Sequence, residues 1–294
     1  EEIVELDRRM ELIAAGEIEF VTGKAEFIRL GEFDDVDAAM MVHSTPDVVE
    51  FPLAAGAGGN GLVVKRATFT GVSAHGSMPD RGINALTAAR VALASIDAIR
   101  DTFDPAASVR VQAIITRGGT AASIVPDDVA VEIYLRAATV EALTDAGARL
   151  DRALRAGGLV TGATVGIQTI PGFLPVKEDA GLVALFRARA DDVLGPGVVK
   201  VPLERTASTD MGDLSHVVPV VHAFAGGASG SLHHHGYHVD DLDMAVVDPA
   251  RVVALTVLDV LAGELTSPRR PLMSRDEYLA YLRDGYAHEV HAPS

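Results

Sequence analysis

Between residues 62 and 171 the chain switches repeatedly between two hydrophobic periods. Residues 62–71 read as a strand. Over 83–103, Leu86, Leu93, Ile96, Ile99 and Phe103 recur at helical spacing and predict one apolar helix face. Over 108–116, Val109, Val111, Ala113 and Ile115 alternate with Arg110, Gln112 and Thr116. Over 129–136, Val129, Val131, Ile133 and Leu135 alternate with Glu132, Tyr134 and Arg136; both stretches predict strands with one face inward. A second helix is predicted over 140–156 with a stop at Gly157-Gly158, and a last strand over 163–170 ending at Pro171-Gly172. The order β-α-β-β-α-β is the split βαβ pattern. It predicts an α+β unit that covers one sheet face with two helices and can fold alone.

The flanks read differently. Ile3, Leu6, Met10 and Ile13 form a helical stripe over 3–15, and Gly16 ends it. A short helix is predicted over 25–30 before Gly31. Ala38-Ala39-Met40-Met41-Val42 is unbroken apolar sequence after an acidic run, which predicts a buried parallel strand with His43 at its carboxyl end. That edge of an open α/β sheet is where ligands bind. Gly56, Gly58 and Gly61 match G-x-G-x-x-G, but a strand follows them where dinucleotide binding needs a helix, so they predict a hinge. After residue 171 the pattern is α/β again. Helices are predicted over 180–194, 249–262 and 276–283, strands over 198–201 and 219–224, and Ser208–Asp213 can cap a short helical turn. The predicted architecture is α/β: one discontinuous domain, 1–61 and 172–294, with an inserted lid or dimerisation domain at 62–171.

Composition narrows the function. The chain has 294 residues, 48% of them hydrophobic, and a formal charge of −16, which argues against a nucleic-acid footprint or attraction to an anionic membrane. Absence of cysteine excludes disulfides, thiol catalysis and thiolate metal sites. No apolar run approaches the ~18 residues of a membrane span. The chain opens on Glu1-Glu2 without a methionine, and upstream sequence is expected.

Four of the ten histidines fall within residues 232–239, followed by Asp240 and Asp241. Without thiolates, imidazole is the commonest metal ligand, so this loop is either a divalent-metal site or a solvated polar loop. His43 is either a ligand at a strand end or a hydrogen-bonded core residue. The adjacent carboxylates Glu1 and Glu2 suit a metal with its water, or are solvated charge. His75, in Ser73-Ala74-His75-Gly76, is a turn residue or an oxyanion donor. No G-x-S-x-G elbow and no phosphate-binding G-x-x-x-x-G-K-[ST] is present.

Three segments together carry a family resemblance: Phe33–His43, Phe69–Pro79 with Gly82-Ile83-Asn84-Ala85, and Gly118–Pro126. The chain resembles the metal-dependent aminoacylase and carboxypeptidase family, which includes hippurate hydrolase, auxin-conjugate hydrolases and p-aminobenzoyl-glutamate hydrolase. The stretch Ser208–His216 points toward the last branch and the dipeptidases. The resemblance implies hydrolysis of the amide bond of a small N-acyl amino acid, aryl-amide conjugate or dipeptide. It implies one or two Zn or Mn ions, Glu1 as general base, and Glu2, His43 and His235 as metal ligands, with His234 the alternative to His235. His75 would reach across a homodimer to steady the oxyanion, and Arg136 and Ser123 would lie near the substrate carboxylate. Ser123 stands where the family has Asn. The family's first metal-binding segment precedes its Glu-Glu pair and has no counterpart here, so a missing N-terminal segment or subunit is expected. The rival expectation is a non-catalytic, truncated or split product that keeps the dimerising unit.

Overall fold

The computed structural model describes residues 5–46, 52–200, 206–265 and 271–292. Two short helices open the chain, α1 (Leu6–Ala14) and α2 (Gly23–Leu30), the second stopped by Gly31 at φ +84°. Strands β1 (Ala39–Ser44) and β2 (Leu53–Ala54) precede the long strand β3 (Gly61–Thr70). Helix α3 (Ala85–Ile99), capped by Asn84 accepting from Thr87 N–H, leads to β4 (Arg110–Arg117) and β5 (Asp128–Ala137). Helix α4 (Val140–Thr161) and β6 (Thr164–Phe173) close this half. Then follow α5 (Ala180–Leu194), β7 (Val199–Lys200), α6 (Met211–Val217), β8 (Val220–Ala225), the small ribbon β9 (Ala228–Ser229) and β10 (His238–Val239), α7 (Asp248–Leu261), α8 (Arg275–Gly285) and β11 (Ala287–His291).

Two sheets organise the mixed α/β fold. One runs β1-β8-β2-β7, the other β11-β6-β3-β5-β4. β1 pairs with β8 in parallel as predicted, but it is half-buried throughout because β8 is its one partner among the described strands. In the second sheet the alternation of β5 is realised in full: Val129, Val131, Ile133 and Leu135 are buried beneath α3 and α4.

The predicted stripe on α3 is part of its inner face. Ile96 is buried in the core and Leu86, Leu93, Ile99 and Phe103 are partly buried, while Ala85, Ala88, Ala89 and Ala92 complete the deepest face. These small residues let α4 approach closely. α4 therefore runs through Gly157-Gly158, where a stop was expected, and ends at Gly162 with φ +82°. A Cβ on Gly157 would lie 2.2 Å from the carbonyl oxygen of Ala88. The glycines serve packing, not termination. Beneath α4, Lys65 of β3 is buried and donates to both oxygens of Asp151 at 2.7 and 2.8 Å and to Thr169 at 3.0 Å. This ion pair ties α4 to two strands.

The unit is not closed by its own residues alone. Leu6, with Met10 and Ile13 of α1, packs on Leu62, Val64, Ile170 and Phe173. β11, unforeseen in the sequence, adds antiparallel to β6. β6 also continues past the expected end at Pro171, with a register shift opposite Leu62/Val63 that leaves Gly172 between paired residues.

Where the chain crosses between the sheets the packing is tight. Val176 N–H donates to Gly59 O at 3.0 Å, and Asn60 N–H to Ala207 O at 3.0 Å. A Cβ on Gly212 would lie 1.7 Å from Leu174 O. The neighbouring Asp213 is fully buried, and its Oδ1 accepts from Leu174 N–H at 2.9 Å. Its other oxygen is buried beside the Tyr278 hydroxyl without hydrogen-bond geometry. Burial pushes this carboxyl from 3.8 up to about 8, and Asp210 adds to the rise.

Two outcomes follow from these contacts. Gly157→Ala forces α3 and α4 apart and costs about 1–3 kcal/mol by chemical denaturation. Between pH 4 and 8 the native chain holds a proton on Asp213 that the unfolded chain has released, so this contribution is complete below the ordinary carboxyl range and is lost as pH rises toward 8. Asp213→Asn removes that slope in melts across the window and is more stable than wild type at its upper end.

Candidate active site

The parallel pair β1 and β8 ends at Ser44 and Ala225, and a cavity of about 100 Å³ opens there. His43 stands opposite Phe224 and Met41 opposite His222, so alternation puts all four side chains on one sheet face. The His222 ring lies 4.5 Å from the Phe224 ring, and the His43 ring 6.1 Å from it. Gly58 and Gly59 from the first crossing, Ser208 and Thr209, and Leu232 and His233 complete the wall. Five separate segments thus meet at the carboxyl edge of the sheet.

His43 is oriented by its own strand. Its Nδ1 lies 2.6 Å from Ser44 O, and since a carbonyl only accepts, Nδ1 carries the hydrogen. In the neutral ring this places the lone pair on Nε2, the tautomer that suits a metal ligand. The loop across the cavity is pinned by a 2.6 Å hydrogen bond between Ser44 Oγ and Tyr237 OH. Within that loop His233 adopts φ +61° and lines the cavity. His234 and His235 stack with ring centroids 4.0 Å apart, and His235 is exposed and outside the cavity wall. His238 accepts no part in the cavity; its Nδ1 donates to Gly236 O and its Nε2 lies 2.8 Å from Asp240, and these two partners raise its pKa.

Sequence reasoning missed three residues. His222 and Phe224 were read only as part of an apolar strand, although a histidine inside such a strand was the available signal. Glu178 carried none. Its Oε1 accepts from His222 N–H at 3.0 Å and Gly56 N–H at 3.4 Å, and its Oε2 from Gly58 N–H at 3.1 Å. One carboxylate therefore fastens the glycine-rich crossing to β8.

The predicted residues fall into separate groups. Glu1 and Glu2 lie outside the described residues. His75 and Ser123 come together: Gly76 N–H donates to Ser123 O at 2.7 Å, and His75 bridges Ile124. His75 is exposed, with Nδ1 2.8 Å from Ser77 Oγ. Arg136 sits at the opposite end of β5, donating to Gln112 at 2.8 Å and covering the Tyr134 ring. Ten residues of β3 separate the His75 loop from the crossing at Gly61, roughly 30 Å at ~3.3 Å per residue. His75 is therefore remote from the cavity that holds His43 in the same chain. Among the described residues no group of three or more His, Asp or Glu is placed to hold a metal ion, so these residues alone do not complete one. No helix among them is long and apolar enough to cross a membrane.

Comparison with known proteins agrees with this layout. Residues 58–160 match the peptidase dimerisation domain of the M20 type. The chain is 26% identical to the Xaa-Arg dipeptidase of Mus musculus over 258 residues, covering 81% of this chain and 56% of the relative. It spans little more than half the length of the curated relatives it matches. A Bacillus subtilis protein, described as a dinuclear metal-binding peptidase of the M20 family, superposes with a TM-score of 0.63 at 16% identity, over 83% of this chain and 63% of that one. An aminobenzoyl-glutamate utilization protein from Klebsiella pneumoniae gives 0.56 at 19% identity, over 82% and 57%. The fold is shared with these solved structures, and residues 58–160 within it match the dimerisation domain. The chain is thus similar to M20 amidohydrolases and peptidases, the likeness that the segments Phe33–His43, Phe69–Pro79 and Gly118–Pro126 led one to expect.

Tyr237→Phe removes the contact that holds the histidine loop over β1. It costs about 1 kcal/mol in denaturant melts and speeds amide exchange across residues 232–238.

Proposed function

We propose that this chain is the dimerisation-domain-bearing portion of a metal-dependent amidohydrolase. Its substrate is a small N-acyl amino acid, aryl-amide conjugate or dipeptide. One observation carries the reading. In a chain with a peptidase dimerisation domain, His43 is presented at the carboxyl edge of a parallel pair, lines the cavity there, and has its Nδ1 on the Ser44 carbonyl.

In this reading residues 1–61 and 172–294 form the catalytic layer and 62–171 the inserted unit. The ion, Zn or Mn, draws on His43, on His235 or its neighbour, on Glu2, and on ligands from an upstream segment or subunit; one or two ions are held. A bound divalent ion would polarise the amide carbonyl. The chain's own contributions are positional. Glu178 fixes the glycine-rich wall of the cavity, and Tyr237 fixes the histidine loop. Glu1 is the base that takes a proton from water. The remoteness of His75 from its own cavity supports a homodimer in which each His75 serves the partner's site, with Ser123 beside it. Arg136, near the crossing, faces substrate bound in its own chain. A cytoplasmic setting suits such small substrates.

A second reading is a scaffold that dimerises without catalysis. The absence of a three-ligand group among the described residues favours it. Titration calorimetry with Zn²⁺ and Mn²⁺, and turnover of N-acyl amino acids, separate the two. The hydrolase reading expects ion binding that His43→Ala weakens at least ~10-fold and His75→Ala leaves unchanged. It expects each variant alone to be nearly inactive, and an equal mixture to regain roughly a quarter of the activity, because half of the random dimers carry one intact site. No ion uptake and no turnover, with or without an upstream polypeptide, would leave the scaffold.

A further inference from the structure

The C-terminal segment joins the two sheet layers a third time. On one side α8 is embedded: Tyr278, Leu279 and Leu282 are buried among Phe20, Ile28 and Leu174. Ser274 and Glu277 form a reciprocal cap at its start. Arg275 donates to Asp34 at 2.6 Å, and Arg283 to Glu19 at 2.5 Å. On the other side β11 pairs with β6 from Ala287 opposite Thr169 to His291 opposite Val165. Arg155 of α4 donates to Glu289 and to His291.

A single residue, Tyr286, lies between α8 and β11. One residue spans at most ~3.8 Å, so the connection has no slack. Gly285 is also pressed on Pro171, where a Cβ would come within 2.6 Å of the ring. Turning the five-stranded sheet about the crossings at Gly61 and Phe173 must therefore strip β11 from β6 or pull α8 from its bed. The two attachments are unequal. α8 buries three large side chains, whereas β11 has none buried and leaves Ala287, His288 and Val290 exposed. β11 is the side that yields.

We propose that β11 is a detachable latch: together with α1, which packs on the same sheet, it holds the five-stranded sheet at a fixed angle to the four-stranded one, and the angle opens when β11 leaves β6. The inference does not depend on the hydrolase reading, and its test needs neither metal nor substrate. The chain has no cysteine, so Arg90→Cys on α3 and Ala188→Cys on α5, both exposed, accept a pair of spin labels in the full chain. The intact chain gives one narrow interlabel distance. Removing residues 287–294 broadens it by roughly twofold or adds a second distance, while circular dichroism and α8 amide protection stay unchanged. Val290→Pro in the full-length chain, which cannot sustain the ladder, gives the same result. In the unlabelled chain, amides of 287–291 exchange at least ~10-fold faster than those of α8. An unchanged distance in both variants overturns the latch, and so does loss of α8 protection together with β11.

Discussion

Everything in this molecule hangs on two places where the backbone passes from one sheet to the other, and on how little room is left there. At Gly61 a side chain would strike Phe173 O and Leu143, and at Gly212 it would strike Leu174 O. The backbones touch because glycine permits it. Around that contact, Glu178 binds Gly56, Gly58 and His222, and Asp213 binds Leu174. A stretch rich in glycine would be loose in isolation. Here it is held by Glu178, a half-buried carboxylate that accepts from main-chain N–H groups. The cavity beside His43 inherits its shape from this clamp, since Gly58 and Gly59 form part of its wall.

Much of the fold was legible because burial imposes period. β5 has one face under two helices, and its alternation survives intact in the sequence. β1 was legible as a parallel strand from its unbroken apolar run, which does not alternate. Gly157-Gly158 was misread because a glycine pair looks the same whether it ends a helix or lets another helix in. Only the alanine face of α3, considered together with those glycines, distinguishes the two. β11 could not be read at all: Ala287-His288-Glu289-Val290-His291 has no apolar face, and its conformation comes from the edge of β6 and from Arg155. The site was legible in part. His43 was marked by its position after an apolar run. Glu178 was invisible, because a carboxylate that binds main-chain amides leaves no pattern in sequence.

The histidines illustrate how position divides chemically identical groups. His43 has its tautomer set by Ser44 O and lines a cavity. His238 lies in the open, tied to Asp240 and Gly236. His75 is carried on a loop some ten strand residues from the crossing, next to Ser123. A side chain at the tip of an inserted unit is well placed to act on something other than its own body, and poorly placed to act on it. That geometry is what the proposed pairing of two chains rests on.

The strand contributed by the C-terminus has a further consequence for assembly. A β-sheet with two bare margins can be lengthened from either side without limit, which is the route to fibres. Here one margin is β11 itself, five residues long and carrying His288, Glu289 and His291, and the other, β4, carries exposed Ile114 and Ile115. Union of two copies across β4 would leave outward only these short, polar margins, which are poor templates for a third copy.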